Sequence, residues 1–263
     1  MKYRNTVETS KKVFLTHKTP NFILILAVIQ ARIGSTRLPG KVMLPLLDKP
    51  VIWHIYHRLK FAKLVDEICI STTTSPADDV IVEFAKKNNI KYYRGSEKNI
   101  ISRHLGAAKR FNADVIVRIN ADCPLIDPEI VDQTISLYLQ NPSADFVSNN
   151  KVRTFPLGLD VQVFPTKTLE KFIKISDDQY FYDYFISFYI YERPEKYTSI
   201  GLQLDKPNVL RWTLDYPEDY EFVKQVYSYL YKADEVFHMR DIMNLLENKP
   251  ELMKINSMHN EKY

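Results

Sequence analysis

The stretch F-I-L-I-L-A-V-I-Q-A-R-I-G-S-T-R-L-P-G-K, residues 22–41, decides the fold. Its apolar, β-rich start reads as a buried strand over 22–30, and it runs unbroken into a loop dense in cations and glycine. The eight apolar residues at 22–29 are too few to cross a bilayer, which takes a helix of about 20. The basic segment ahead of them allows a signal-peptide reading with 22–29 as the apolar region. Against it, the run leads straight into A-R-I-G-S-T-R, which looks like working sequence rather than a cleavage site.

Outward from this stretch, short β-rich runs alternate with helical patterns. Strands are expected at 66–73, 90–94 and 113–119, and helices start near Pro50, Pro76, Asn99 and Pro128. Proline is well tolerated in a first helical turn, where its missing N–H has no partner to lose. Ser75 and Asp127 precede two of these prolines and suit N-caps. Strand, loop, helix, strand at this spacing means right-handed crossovers and a mostly parallel sheet. Ligands bind such sheets at the carboxyl ends of the strands, so the loops beginning at Ala31, Thr72, Arg94 and Asn120 should line one cleft. The second half is less regular, with strands at 144–148, 158–164 and 197–214 and helices over 166–191, 217–232 and 239–248. Residues 1–20 are polar and aperiodic and read as a flexible N-terminal extension; 21–263 reads as one domain.

Composition agrees with an ordinary globular chain. The 263 residues are 45% hydrophobic and 26% charged, with six glycines and a net charge of +4. This excludes a disordered or collagen-like chain. So small an excess charge suits an anionic small substrate at least as well as nucleic acid, and no nucleic-acid partner is expected. Two cysteines, Cys69 and Cys123, cannot build a disulfide scaffold; they read as reduced, in a cytoplasmic protein.

Three stretches carry chemistry. In A-R-I-G-S-T-R-L-P-G-K (31–41), Arg32, Arg37 and Lys41 put three permanent cations within ten positions. Gly34 and Gly40 allow a tight turn and close approach to a ligand, and Ser35 and Thr36 add hydroxyls. Cations and exposed N–H groups after a strand suit a polyphosphate cradle, with a solvated basic turn as the alternative; the Walker A spacing is absent. In R-I-N-A-D-C-P-L-I-D (118–127), Asp122 follows a strand and is placed to hold Mg²⁺, or to make an Asx-turn. In R-W-T-L-D-Y-P-E-D (211–219), Asp215 precedes a Pro-started helix, as a second metal ligand or as an N-cap.

These stretches resemble the cytidylyltransferases that make CMP-activated sugar acids, such as the CMP-acylneuraminate and CMP-3-deoxy-manno-octulosonate synthetases. The likeness is greatest to their spore-coat polysaccharide biosynthesis protein F branch. Besides 27–41, 117–128 and 210–219 it rests on S-T-T-T-S-P-A-D-D (71–79), R-G-S (94–96) and R-T-F-P-L-G-L-D-V-Q-V-F (153–164), in that order, and covers about 22–255. It implies a GT-A-like α/β nucleotidyltransferase fold, with a mostly parallel Rossmann-like sheet flanked by helices. It also implies Mg²⁺-dependent transfer of CMP from CTP to a nonulosonate-like sugar acid, pyrophosphate release, and a role in surface polysaccharide biosynthesis. A homodimer is left open.

By the same resemblance Arg32, Arg37 and Lys41 hold the triphosphate, with Ala31, Gly34 and Ser35 adding backbone and hydroxyl contacts. Thr73, Ser96 and Arg103 lie around base and ribose, Asp122 and Asp215 bind the metal, and Arg153 and Asp160 face the acceptor. Arg32, Lys41, Asp122 and Asp215 form the catalytic set. Two departures stand out. Asp183, Tyr184 and Phe185 replace an Arg-Glu-His triplet, and Ser102 replaces an Asp before Arg103. The aromatic run at 179–191 reads as a buried or dimer-interface helix, and the six histidines as structural or surface residues. The competing functions are a GT-A glycosyltransferase, which would need a second Asp in the A-D-C-P motif, and a non-catalytic nucleotide-binding protein on the same fold.

Overall fold

The computed structural model describes residues 23–175, 186–208 and 210–262. A seven-stranded sheet organises them, in the order β5-β4-β1-β6-β8-β7-β9. The strands are β1 (Ile25–Gln30), β4 (Glu67–Thr73), β5 (Lys91–Gly95), β6 (Val115–Asn120), β7 (Phe146–Ser148), β8 (Gln162–Pro165) and β9 (Ser199–Gly201). A small hairpin, β2 (Pro45–Leu46) with β3 (Lys49–Pro50), lies between β1 and β4 in the chain. β5, β4, β1 and β6 are mutually parallel; β8 runs antiparallel to both β6 and β7, and β9 is parallel to β7.

The sheet is covered on both faces, which its sequence requires. β1 alternates strictly: Ile25, Ala27 and Ile29 face one core, Leu26 and Val28 the other. The first core is closed by α1 (Val51–Leu59), α2 (Asp79–Lys87), α4 (Pro128–Gln140), α7 (Pro217–Leu230) and α8 (Met239–Asn248). The second is closed by α3 (Ile100–Arg110), α5 (Thr166–Ile173) and α6 (Ile186–Tyr191). Each fully buried aliphatic side chain contributes about 1.5–3 kcal/mol, so truncating Leu26 to alanine should cost about 2–5 kcal/mol.

The first four strands and the helices after them fall where the periodicity puts them. Asp127 caps α4, accepting from the Glu129 N–H at 2.9 Å, whereas Ser75 makes no side-chain capping bond to the turn at Pro76–Asp78. The second half needs three corrections. The strand expected over 158–164 is confined to 162–165, because the Asn149 side chain takes the place of a neighbouring strand. It donates to Leu159 O at 2.7 Å and accepts from Val161 N at 2.8 Å. The strand expected over 197–214 shrinks to 199–201. Beyond it the chain runs extended past Gly158, with one bridge, Leu157 to Arg211. Gly158 has φ +106°, and a Cβ there would lie 2.5 Å from Thr213 N. Only glycine permits that approach. The helix expected over 166–191 stops at Ile173, with α6 as a separate helix. Residues 1–20, the 183–185 triplet and the 179–185 part of the aromatic run lie outside the described residues.

The sheet's topological reversal lies between β1 and β6, where Gln30 is paired with Asn120. The loops leaving these two strands therefore open together, at the place where such folds bind ligands.

Candidate active site

The loop after β1 is shaped by bonds to its neighbours. Ala31 N donates to Ser71 O at 3.0 Å, so that N–H is committed to the sheet. Asp78, buried under the loop, accepts from Ile33 N at 2.7 Å, from Thr73 N at 3.3 Å and from the Thr73 hydroxyl. One carboxylate thus fastens the cation-bearing loop to the turn after β4. Gly34 is exposed, and nothing would lie within 4 Å of a Cβ there. Ser35 Oγ accepts from Leu38 N at 3.4 Å. Gly40 takes the left-handed conformation at φ +68°, which turns the chain into a short 3-10 segment starting at Lys41.

Lys41 is the centre of the site. Its ammonium lies 2.9 Å from Asp122 Oδ2 and 2.8 Å from Asp215 Oδ1, so residues 81 and 174 positions apart meet on one cation. Burial alone would lower the Lys41 pKa, but the two carboxylates outweigh it and the net shift is upward. Burial likewise works to raise the Asp215 pKa, and Lys41, Arg37 and Arg211 overcome it to hold it below the usual range. Arg37, on the loop's outer side, reaches Asp215 Oδ1 at 3.1 Å and donates to the Tyr216 hydroxyl at 3.3 Å.

Asp215 is held from behind. Leu214 N and the Thr213 hydroxyl donate to Asp122 O at 2.8 and 3.2 Å, which pins the 210–215 segment to the end of β6. Arg211 makes a two-pronged ion pair with the fully buried Asp219, both contacts at 2.8 Å, and reaches Asp215 Oδ2 at 3.3 Å. Asp219 also accepts from the N–H groups of Asp215 and Tyr216, at 2.9 and 3.0 Å. The helix-capping role open for Asp215 is thus performed by Asp219, and Asp215 faces Lys41.

The remaining expected residues form two flanking groups. On the β5 side Arg103 is buried and donates to Ser96 O at 2.7 Å. Burial, then the nearby charge of Arg32, lowers its pKa to about 10. Arg32 itself is exposed and makes no side-chain bond among the described residues. Ser96 Oγ accepts from Asn99 N at 3.0 Å, and the Thr73 hydroxyl is committed to Asp78. On the β8 side Arg153 and Asp160 are paired with each other through both prongs of the guanidinium. Asp160 also reaches the centre electrostatically: after burial, Asp122 and then Asp160 push the Cys123 thiol well above its ordinary pKa. On β6 the partly buried Arg118 donates to Gln30 and Gln162, each at 2.8 Å.

Asp78, Arg118, Arg211, Asp219 and Tyr216 were not singled out by the sequence reading. For Asp219 a signal existed: an acid two residues beyond Pro217 sits where a helix start wants a backbone acceptor. His54 and His104 serve structure, each bonded to a backbone carbonyl. His54 is bonded to Leu46 O at 2.7 Å and pushed down to about 4, chiefly by burial. Both cysteines are buried and free. Among the described residues no cluster of three or more His, Cys, Asp or Glu side chains forms, and no helix is long and apolar enough to cross a membrane.

A mostly parallel, doubly covered sheet carries a cation-rich loop at its reversal point, with two carboxylates converging opposite it. This fold and site define a nucleotidyltransferase. Residues 26–251 match the family model described as cytidylyltransferase, and the chain belongs to that family. It is 29% identical over 234 residues to the spore coat polysaccharide biosynthesis protein SpsF of Bacillus subtilis, covering 86% of this chain and 95% of that protein. Among solved structures, a cytidylyltransferase from Leptospira borgpetersenii aligns with a TM-score of 0.83 at 36% identity, over 88% of this chain and 97% of that one. A CMP:2-keto-3-deoxy-manno-octonic acid synthetase complexed with CTP shares the fold, with a TM-score of 0.61 at 16% identity over 78% of this chain and 99% of that one.

Proposed function

We propose that this cytidylyltransferase moves CMP from CTP to a hydroxyl of a sugar acid, with Mg²⁺ bound at Asp122 and Asp215 and pyrophosphate released. The observation that carries the proposal is the Lys41 ammonium seated between those two carboxylates with Arg37 beside it. The donor set fits Mg²⁺, which is bound through one or two carboxylates, substrate phosphates and waters. Two aspartates converge, Asp122 is about a quarter exposed toward the cleft, and phosphate-binding cations flank them. Bound there, the ion would supply charge neutralisation at the phosphates and Lewis acidity toward the acceptor hydroxyl.

The chain's own residues position and neutralise. The acceptor hydroxyl gives its proton to solvent as its oxygen attacks the α-phosphorus in line, and the bond to the bridging oxygen breaks, with its electron pair leaving on pyrophosphate. Lys41 and Arg37 exchange carboxylate partners for phosphate oxygens and stabilise the departing charge. Arg32 and the exposed Gly34 backbone complete the triphosphate cradle, while Arg103, Ser96 and Thr73 shape the base and ribose side. Arg153 receives the acceptor carboxylate, and Asp160 fixes the guanidinium's orientation. A surface-polysaccharide role is supported by the name of the spore coat polysaccharide biosynthesis relative, and a sugar acid by relatives named 3-deoxy-manno-octulosonate cytidylyltransferase.

Thermal-shift titration with CTP, ATP, GTP and UTP, with and without Mg²⁺, tests the nucleotide half. A ligand at 100 times its dissociation constant adds about 2.7 kcal/mol of stability. CTP should shift the transition most, and equal shifts from all four would sink the proposal. Pyrophosphate release over a panel of sugar acids tests the other half.

A further inference from the structure

Beyond residue 251, where the family match ends, the chain returns to the active site. Leu252 is buried in the core, and Asn256, also buried, donates to Arg211 O at 3.0 Å and to Asp219 Oδ1 at 2.9 Å. It therefore completes the ion pair that holds Asp215. One turn further, His259 stacks on Tyr216 with ring centroids 3.9 Å apart and planes 9° from parallel. His259 Nε2 is fixed by Glu218 Oε2 at 3.0 Å. Tyr216 is the residue whose hydroxyl accepts from Arg37, and the Arg37 guanidinium lies 5.0 Å from its ring centroid.

We infer that the C-terminal segment is a strap and that His259 is a positioning residue for the phosphate end of the site. Acting through Tyr216, it holds Arg37 where a triphosphate must meet it. The inference rests on the phosphate-binding reading of the loop but concerns residues outside the family's matched span. Its physical basis is exposure. The Arg37 side chain is 45% exposed, so the wall that Tyr216 presents matters to where the guanidinium rests. A tyrosine ring held by a parallel imidazole loses rotational freedom that a ligand would otherwise have to restrict.

The test compares the whole chain with its His259→Ala and His259→Phe variants, using inorganic tripolyphosphate and CTP, each with Mg²⁺, as separate calorimetric probes. Loss of the stack should weaken tripolyphosphate binding and raise the KM for CTP about fivefold, the scale of one aromatic contact. Turnover at saturation and the melting temperature should stay close to wild type, because uniform binding is what is lost. His259→Phe keeps a stacking ring without the Glu218 pairing and should restore both values. Tyr216→Phe, which keeps the ring and removes the hydroxyl, should weaken tripolyphosphate in the same direction. Wild-type tripolyphosphate affinity in His259→Ala overturns the inference. So does a phenylalanine variant as weak as the alanine one, or a loss that merely tracks a lowered melting temperature. If wild type binds tripolyphosphate but shows no CTP preference or transfer, the cytidylyl reading fails while the tripolyphosphate arm still decides the strap. If wild type binds neither, both fall.

Discussion

Replacing Lys41 with methionine removes one charge and keeps the side chain's length. The ammonium is 2.9 and 2.8 Å from its two carboxylates. At 4 Å and an effective dielectric of about 20, each such attraction is worth about 4 kcal/mol before desolvation is subtracted. Stripping one partner from a buried ion pair costs about 3–5 kcal/mol in practice. Two features place this site at the lower end, at about 3 kcal/mol. Arg37 and Arg211 still face Asp215 in the variant, and the Asp122 side chain is 26% exposed. For a chain of this size the melting temperature should fall by about 6–12 °C.

The pH dependence follows from the two shifted groups. Asp215 titrates below its ordinary 3.8 in the folded state. Its contribution is therefore present above that value and lost as pH falls through the lowered one. Lys41 titrates above its ordinary 10.5, so its contribution is full below that value and lost as pH rises through the raised one. The gap between wild type and variant should then be flat from about pH 5 to 9 and close at both extremes. Urea unfolding across that range measures it. Turnover should fall about 100- to 1000-fold, the cost of one transition-state donor. A gap of less than about 1 kcal/mol at neutral pH, the worth of an exposed pair, would refute the reasoning, as would a gap that varies through the middle of the range.

Two further outcomes are expected. His238 lies 2.9 Å from Asp127 Oδ1, and that carboxylate holds its pKa above the ordinary 6.5. Its stabilisation is full below about pH 6.5 and lost as pH rises through the raised value, so the urea midpoint should decline with rising pH there, and His238→Gln should flatten that decline. Arg153→Lys should raise the acceptor's KM and lower turnover while leaving the CTP dissociation constant unchanged, because a lysine cannot make two parallel bonds to a carboxylate; a weakened CTP affinity in steady-state and binding assays would move Arg153 out of the acceptor pocket.

The fold's first half was legible because its code is local. β1 is apolar on both sides and is followed by a glycine-bearing loop, and Asn99 and Pro128 mark helix starts wherever the chain goes next. The 197–214 stretch misled for a nonlocal reason. Its extended course is held by Leu157, Gly158 and Asp122, so strand-like residues form one bridge rather than a ladder. The same distinction divides the site. The cations of 31–41 and the acids at 122 and 215 stand out within single motifs, and the structure joins Arg37 and Lys41 to those acids. Asp78 under the loop, Asn149 standing in for a strand and Asn256 from the C-terminal segment act on residues up to 45 positions away, and no local pattern marks them.

The arrangement also explains how four charged groups can wait together without a ligand. Lys41 and Arg37 are each already paired with Asp215. Lys41, with its side chain only 12% exposed, has little bulk water to lose when an anion arrives, whereas Arg37, at 45%, keeps part of its hydration until then. Under the proposed function, binding would be an exchange of partners, phosphate oxygens for carboxylate oxygens, and the aspartates it frees would be the ones to take the accompanying divalent ion. An exchange of this kind is selective for a ligand that brings anion and cation together. A bare metal ion would have to displace the ammonium with nothing to receive it, and a metal-free polyphosphate would take the cations and leave two facing carboxylates uncompensated. The rigid supports from Asp219 and Asp78 keep both ends of the exchange in place while partners change. Under the proposed function the acceptor side has no comparable frame: among the described residues Arg153 and Asp160 sit on an irregular segment and brace each other, so the choice of acid could change there without disturbing the phosphate chemistry.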